Sequence, residues 1–126
     1  MKIDFDPVPV DQYHIESYQI GVITVNNEHY QNSFIISPTK LITDWPPQSF
    51  PDLATHHIQQ IISLQPEIII LGTGTRLHFP PPELIADIFK LDIGFEVMDT
   101  GAACRCYNLL VSEARNVAAG LLMITD

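Results

Sequence analysis

The clearest chemical motif in the sequence is residues 72–76, Gly-Thr-Gly-Thr-Arg, which directly follow the near-continuous apolar run at residues 67–71. α/β folds often place ligand-binding loops where a buried strand ends. Backbone N–H groups of such a loop can hold an anion, and Arg76 would add a positive charge. The motif lacks the third glycine of a dinucleotide fingerprint and the lysine of a P-loop. Gly72 and Gly74 are therefore also explained as glycines of a tight turn.

A second candidate segment joins a predicted strand to a predicted helix. Asp99 ends the strand, Thr100 is positioned to cap the helix, and helical spacing places Cys104, Tyr107 and Asn108 on one face. A thiol in the first turns of a helix can have a lowered pKa, so Cys104 is a candidate nucleophile. No histidine lies nearby in the sequence to act as its base, and cysteines are often buried. A buried structural thiol is the favoured interpretation.

The sequence indicates neither a metal site nor a cofactor. The five histidines do not show the two-turn spacing with a glutamate that marks a helical zinc site. Cys104 and Cys106 would lie about 200° apart around a helix, so they cannot bond to each other there. Two cysteines without further ligands also make a poor metal site. Both cysteines are expected to be reduced thiols.

Composition excludes several classes of function. The 126 residues include 15 acidic and 6 basic ones, giving a net charge of −9, whereas nucleic acid binding needs clustered Lys and Arg. We therefore expect no nucleic acid partner. No apolar run approaches the roughly 18 residues of a membrane-spanning helix, and the N-terminus lacks the plan of a signal peptide. These features predict one domain over residues 1–126, without a membrane span and located in the cytoplasm.

The elements that must position the candidate residues change in type along the chain. Strands are predicted at residues 3–5, 20–25, 29–36 and 40–44, with a hairpin turn at Asn26-Asn27. Helices are predicted at residues 53–64 with Asp52 as N-cap, at 83–90 and at 101–113. Further strands are predicted at residues 67–71, 95–98 and 117–124. This order predicts a layered α/β fold with a mixed sheet.

Two long stretches resemble a known family. One is residues 66–74 followed by Leu-His-Phe-Pro-Pro at 77–81, and the other is residues 95–119 with the core Asp-Thr-Gly-Ala-Ala-Cys-Arg-Cys-Tyr-Asn. In order and spacing they resemble the small domain-of-unknown-function family that includes mitochondrial respiratory complex I assembly factor 3 and the adipogenesis-associated domain protein. The chain departs from the family pattern at Cys106, where threonine is common, and at Ala114, where glycine is usual.

The resemblance has implications for fold and function. It implies a three-layer α/β fold with a mixed central sheet, helices and an additional β layer from the N-terminal half. It implies no known reaction, since the family has no established chemistry. The family's best described role is to help a respiratory complex assemble through protein contacts. A non-enzymatic protein-interaction or assembly factor with a protein partner is therefore the first hypothesis.

Two other interpretations stay open. A small anionic-ligand-binding domain or an enzyme would use a cleft between residues 72–76 and residues 99–108, lined by Gly72, Gly74, Thr75, Arg76, Asp99, Thr100, Cys104, Tyr107 and Asn108. In a structural interpretation, Asp99 and Thr100 cap a helix while Tyr107 and Asn108 satisfy buried backbone groups. Exposed strand edges in the first half would also allow a homodimer.

Overall fold

Eight strands and three helices make up residues 12–125, the part of the chain that the computed structural model describes. The predicted strand at residues 3–5 lies outside them. The strands are β1 (Ile15–Gln19), β2 (Val22–Val25), β3 (Glu28–Tyr30), β4 (Phe34–Ile36), β5 (Leu41–Ile42), β6 (Ile68–Gly72), β7 (Gly94–Met98) and β8 (Val117–Leu121). The helices are α1 (Thr55–Ile62), α2 (Pro82–Lys90) and α3 (Thr100–Ser112), and a short 3₁₀ turn spans Phe50–Asp52.

The strands form two sheets, one of them mixed. The larger has the order β5-β4-β8-β6-β7, in which β6 runs parallel to β7 and β8, and β4 runs antiparallel to β5 and β8. The smaller is an antiparallel sheet in the order β1-β2-β3. α2 connects β6 to β7, and α3 connects β7 to β8. The predicted mixed central sheet with an additional β layer is confirmed.

Apolar side chains of β6 alternate between the two faces of the larger sheet, as the two-residue repeat of a strand requires. Ile69 and Leu71 belong to a cluster with α1, α2 and Trp45. Ile70 belongs to a second cluster with α3 and the smaller sheet. The fold therefore has three layers: α1 with α2, the five-stranded sheet, and α3 with the three-stranded sheet.

The predicted strand at residues 29–36 is two strands in two different sheets. Asn26 and Asn27 have φ of 46° and 74°, so the predicted hairpin turn is confirmed between β2 and β3. The prediction that the second strand continues to residue 36 is wrong, because β4 leaves to pair with β8. All three residues of β4 are buried, which suits a sheet covered on both faces.

α1 begins later than the sequence predicts, and Asp52 is not its N-cap. The carboxylate of Asp52 accepts hydrogen bonds from the N–H groups of Gln48 and Ser49, both at 3.3 Å, at the 3₁₀ turn. The N-cap of α1 is Ala54, whose N–H donates to Nδ1 of His57 at 2.9 Å. The N-cap side chain of α1 therefore accepts no hydrogen bond, and the imidazole of His57 in the first turn accepts the N–H of the N-cap residue.

The end of α3 adopts a left-handed backbone at a residue with a side chain. Ala114 has φ of 60°. Its N–H donates to the carbonyl of Val111 and the N–H of Arg115 donates to that of Leu110, each at 2.9 Å. These two bonds define a Schellman motif, in which glycine usually occupies the left-handed position. The chain therefore has alanine where the family pattern has glycine, at a left-handed position that glycine adopts with less strain than alanine.

The buried ring of His57 is held in its neutral form. His57 is 6% exposed, and its Nδ1 accepts the Ala54 N–H. Burial lowers the pKa of His57, and the nearby His56 lowers it further, while Asp52 acts in the opposite direction. Trp45 lies edge-on to this ring and donates its indole N–H to the His57 carbonyl at 3.2 Å. Protonation of His57 would therefore disturb both the start of α1 and the packing around Trp45.

We predict that Ala114→Gly stabilises the protein. Glycine removes the roughly 1–2 kcal/mol cost of a left-handed alanine but adds backbone entropy to the unfolded chain, so the net gain should be about 1 kcal/mol. Urea denaturation measures the free energy of unfolding. The same substitution at Ala86, within α2, is the control and should destabilise by about 1 kcal/mol. Equal losses at both positions would contradict the role of Ala114.

We also predict that the free energy of unfolding falls as the pH is lowered from 7 to 5. The folded-state pKa of His57 is depressed below 6.5, so the unfolded chain binds a proton first and stability is lost below that pH. One proton gives a slope of at most about 1.4 kcal/mol per pH unit. His57→Asn should flatten the slope and His78→Asn should not, as urea titrations across this range would show. An unchanged slope in His57→Asn would refute the assignment.

Candidate functional site

The carboxyl ends of β6, β7 and β8 are joined by one buried side chain. Thr100 is fully buried. Its hydroxyl donates to the Leu122 carbonyl at 2.6 Å and accepts the Gly74 N–H at 2.8 Å. Its own N–H donates to the Gly74 carbonyl at 2.9 Å. The residues that follow all three strands are therefore fixed together by Thr100.

This arrangement closes the space where the sequence predicts a cleft. β6 and β7 are adjacent parallel strands, and α2 and α3 leave them toward opposite sides of the sheet. A crevice is expected at such a point. Here Thr73 and Gly74 bond directly to Met98 and Thr100 across it. Residues 72–76 and the start of α3 are together, as expected, but they contact each other rather than face each other across a cleft.

Gly72 is required by this close approach. A Cβ atom there would lie 2.9 Å from Cδ2 of Leu121 and 3.0 Å from both the Ala103 Cβ and the Thr100 Oγ1. Gly74 has φ of 98°, a backbone conformation that favours glycine. The turn interpretation is therefore supported at Gly74 by its dihedral angle, whereas Gly72 lies in β6 and is required by close packing.

The polar residues of α3 bond to the protein's own backbone. The Tyr107 hydroxyl donates to the Tyr13 carbonyl at 2.8 Å. The Asn108 amide accepts the Ile15 N–H at 2.9 Å and donates to the Ile15 carbonyl at 2.6 Å. These three hydrogen bonds fasten α3 to the segment that begins the smaller sheet. The predicted structural role of Tyr107 and Asn108 is confirmed, and burial raises the pKa of Tyr107.

Asp99 caps α3, whereas Thr100 does not. Asp99 is the N-cap of α3, and its carboxylate accepts the Ala102 N–H at 2.9 Å. Thr100 is the first helical residue, so the prediction that it caps the helix is wrong. Its side chain joins strand ends instead, as the hydrogen bonds to Gly74 and Leu122 show.

The cysteines are poorly suited to nucleophilic chemistry. Cys104 is 1% exposed, and burial raises its pKa to about 12. Burial also raises the pKa of Cys106. A thiol with a raised pKa is almost entirely protonated near neutral pH, and the thiolate is the reactive form. A buried structural thiol, the favoured sequence interpretation, therefore describes Cys104.

An open cleft does exist beside residues 73–76, but its other walls differ from the prediction. This strand-end cleft encloses about 420 Å³ between the 73–78 loop, residues 48–51 and residues 122–125. Gly74, Thr75 and Arg76 line it, whereas Asp99, Thr100, Cys104, Tyr107 and Asn108 do not. Cys104 and Asn108 instead line a separate depression of about 240 Å³ beside residues 15–18. Five of the nine predicted ligand-binding residues are thus divided between two places, while Gly72, Asp99, Thr100 and Tyr107 line neither. The role of the set in binding stays a prediction.

Sequence reasoning missed the walls at residues 48–51 and 122–125. Phe50 stacks on His78, with ring centroids 5.0 Å apart and planes 23° apart. Leu122 and Met123, 1% and 8% exposed, also line the cleft. These residues carry no local motif, because a turn before α1 and the tail after β8 meet only in the folded chain.

Within residues 12–125, no three His, Cys, Asp or Glu side chains lie together in a way that could hold a metal ion. In the same part of the chain, none of the helices has both the length and the apolar character needed to cross a bilayer.

A family model described as a protein of unknown function, DUF498/DUF598, matches residues 15–122. The chain belongs to the DUF498/DUF598 family. Its central sheet and α3 fall within the matched residues, as does the lining of the strand-end cleft apart from Met123 and Thr125. The resemblance seen in the two sequence motifs is confirmed. Because the family is described as having unknown function, membership establishes the fold and leaves the activity to be argued.

Relatives of this DUF498/DUF598 protein have differing names. It is 33% identical to the 13 kDa major membrane protein of Francisella tularensis, over 82% of this chain and 85% of that one. It is 31% identical to NADH dehydrogenase [ubiquinone] 1 alpha subcomplex assembly factor 3 of Xenopus tropicalis, over 86% of this chain but only 60% of that protein. The predicted cytoplasmic location stays a prediction, since one of these relatives is named a membrane protein.

The fold is shared with a solved structure. A Bordetella pertussis protein described as an Mth938-like domain, solved by solution NMR, superposes with a TM-score of 0.85 at 28% identity. The match covers 100% of this chain and 94% of that one. The layered arrangement of two sheets and three helices is therefore that of an Mth938-like domain.

We predict that Thr100→Val destabilises the protein by about 2–4 kcal/mol. Valine matches threonine in shape but leaves the Gly74 N–H and the Leu122 carbonyl buried without their partner. Thr100→Ser keeps the hydroxyl and loses only a methyl group, at a cost of about 1 kcal/mol. Urea denaturation of the two variants would measure the difference. Equal losses would mean that packing, and not the hydrogen bonds, is what Thr100 supplies.

Proposed function

We propose that this protein is a non-enzymatic interaction or assembly factor whose protein partner binds an apolar groove at the carboxyl ends of α1 and α2. This α1–α2 groove has a volume of about 390 Å³ and is lined by Ile62, Ser63, Gln65, Pro66, Leu91 and Ile93. No charged side chain is among these lining residues. The groove lies on the opposite side of the sheet from α3, so a partner could bind it without disturbing the strand ends.

The observation that carries the proposal is the exposure of two large apolar side chains at the end of α2, one of which, Leu91, lines the groove. Phe89 and Leu91 are 61% and 57% exposed. Phe89 is held in place by an edge-to-face contact with Phe95, at a centroid distance of 6.3 Å. Exposed apolar side chains next to an apolar groove mark interaction surfaces when they are contiguous. A partner that inserts one or two apolar side chains would bury the groove and both residues together.

The charge of the protein favours a basic partner. The net charge is −9, and Asp87 and Asp92 flank the exposed pair along α2 and its end. Asp87 contacts Lys90 at 3.9 Å, in an exposed ion pair, while Asp92 follows Leu91 directly. Acidic residues around an apolar centre accelerate association with a partner of opposite charge. We therefore infer that the partner presents apolar side chains surrounded by Lys or Arg.

The name of one relative supports an assembly function. The Xenopus tropicalis protein is named an assembly factor for a subcomplex of NADH dehydrogenase, and this chain spans 60% of its length. An assembly factor acts through contacts with other proteins. The groove, an apolar surface without charged lining residues, suits such a contact.

We predict that Leu91→Ser abolishes partner binding and that Leu109→Ser does not. Leu109, on the exposed side of α3, is the matched control because it has the same 57% exposure. Affinity capture after crosslinking would compare the wild-type protein with both variants by quantitative mass spectrometry. Any protein lost only with Leu91→Ser would then be purified, and its binary affinity measured by calorimetry.

The expected result is a loss of at least tenfold in affinity for Leu91→Ser, with wild-type affinity for Leu109→Ser. Both variants should unfold within about 0.5 kcal/mol of the wild type, because both positions are exposed. The proposal fails if the three proteins capture the same partners in the same amounts. It also fails if crosslinks from a confirmed partner map away from Leu91 and its neighbours.

A further inference from the structure

We propose that the strand-end cleft binds a small organic anion in which a phosphate or carboxylate is attached to a flat, apolar ring. This is a site for a small molecule, separate from the groove proposed for a protein partner. It lies where parallel strands β6 and β8 end, the edge at which α/β sheets commonly bind ligands. Its volume of about 420 Å³ falls in the lower part of the range of small-molecule sites.

The described residues that line the cleft differ in charge from the protein as a whole. The chain has 15 acidic and 6 basic residues, yet among the described residues lining the cleft there is no Asp or Glu, and Arg76 is present. Asp52 lies just behind one wall and is occupied by the N–H groups of Gln48 and Ser49. Arg76 forms no ion pair with any carboxylate of residues 12–125. A guanidinium can bind an oxyanion through two parallel hydrogen bonds.

The hydroxyl groups of the 73–78 loop hold the loop's shape. The Thr73 hydroxyl donates to the Arg76 carbonyl at 2.6 Å and accepts the His78 N–H at 3.1 Å. The Thr75 hydroxyl donates to the Thr125 carbonyl and accepts the Thr125 N–H, both at 2.8 Å. The loop is therefore fixed at both sides of Arg76 before any ligand arrives, which reduces the entropy lost on binding.

The opposite wall of the cleft suits an apolar ring. Phe50 and His78, whose rings stack on each other, line this wall of the cleft together with Leu122 and Met123. An inorganic anion would contact Arg76 but leave this surface exposed to water. A ligand with both parts would use the charge and the apolar wall together, so we expect an aryl phosphate or aryl carboxylate to bind better than either part alone.

The test is a titration of the full-length, ¹⁵N-labelled protein, followed by ¹H–¹⁵N correlation spectra. The probes are phenyl phosphate, inorganic phosphate and phenol, each added to wild type, Arg76→Gln and Arg105→Gln. Arg105 is the control because it also is an exposed arginine, but its guanidinium donates to the Tyr18 hydroxyl on α3's side of the protein. Dispersed spectra of each variant would show that it is folded.

We expect phenyl phosphate to produce saturable shifts at the amides of Thr75, Arg76 and Phe50. Its dissociation constant should rise roughly tenfold in Arg76→Gln, as loss of a charge-assisted hydrogen bond implies, and stay unchanged in Arg105→Gln. Inorganic phosphate and phenol should each bind at least fivefold more weakly. The proposal is overturned if phenyl phosphate gives no saturable shift, or if Arg76→Gln binds it as well as wild type. If inorganic phosphate bound as tightly as phenyl phosphate, the proposed contact between an apolar ring and the cleft wall would be overturned.

Discussion

The hydroxyl of Thr100 is the point on which the arrangement of strand ends depends. It is fully buried and exchanges hydrogen bonds with the residues that follow β6 and β8, while its backbone begins α3, two residues after the end of β7. A hydrogen bond in such a water-free place is costly to lose, because neither partner can turn to solvent. The bond also requires Gly72, since a Cβ there would lie 3.0 Å from the Thr100 Oγ1. Gly72 and Thr100, one from each family motif, thus pack as a single unit. The 73–78 loop that follows Gly72 lines a cleft with residues 48–51 and not with α3.

Much of the fold follows from local sequence patterns, and its errors have physical causes. The predictions for β6, α2, β7, α3 and β8 agree within a few residues, since each has a clear apolar period and a marked boundary. The break between β3 and β4 falls at residues 31–33, Gln-Asn-Ser, where Asn and Ser are turn formers that the strand prediction overlooked. That β4 then joins the other sheet depends on its pairing with β8, which no local pattern shows. At α1 the acidic Asp52 was the expected cap, but the buried ring of His57 accepts the Ala54 N–H instead. Local propensity does not predict that the His57 ring becomes buried at the start of α1 while the Asp52 carboxylate stays at the 3₁₀ turn.

Sequence analysis identified the 73–76 side of the strand-end cleft and missed the walls formed by residues 48–51 and 122–125. The rule that ligand loops follow buried strands led to Arg76, which does line a cleft. The same rule paired that loop with residues 99–108, because adjacent parallel strands bring their ends together. It could not anticipate that a side chain as small as Thr100 fills the space between them. The actual far wall contains Phe50 and Met123, which are separated by 73 positions in the chain, and no short-range pattern connects them.

The distribution of hydrogen bonds in α3 favours binding over catalysis. Four residues of the second motif have side chains suited to chemistry, and each has a folding role. Asp99 caps α3, Cys104 is a buried thiol with a raised pKa, and Tyr107 and Asn108 bond to backbone groups at residues 13 and 15. Changing any of them for catalysis would cost stability. Neither the α1–α2 groove nor the cleft beside Arg76 is lined by a residue of this motif. Substitutions at either surface would therefore leave in place the hydrogen bonds by which the motif holds the layers together.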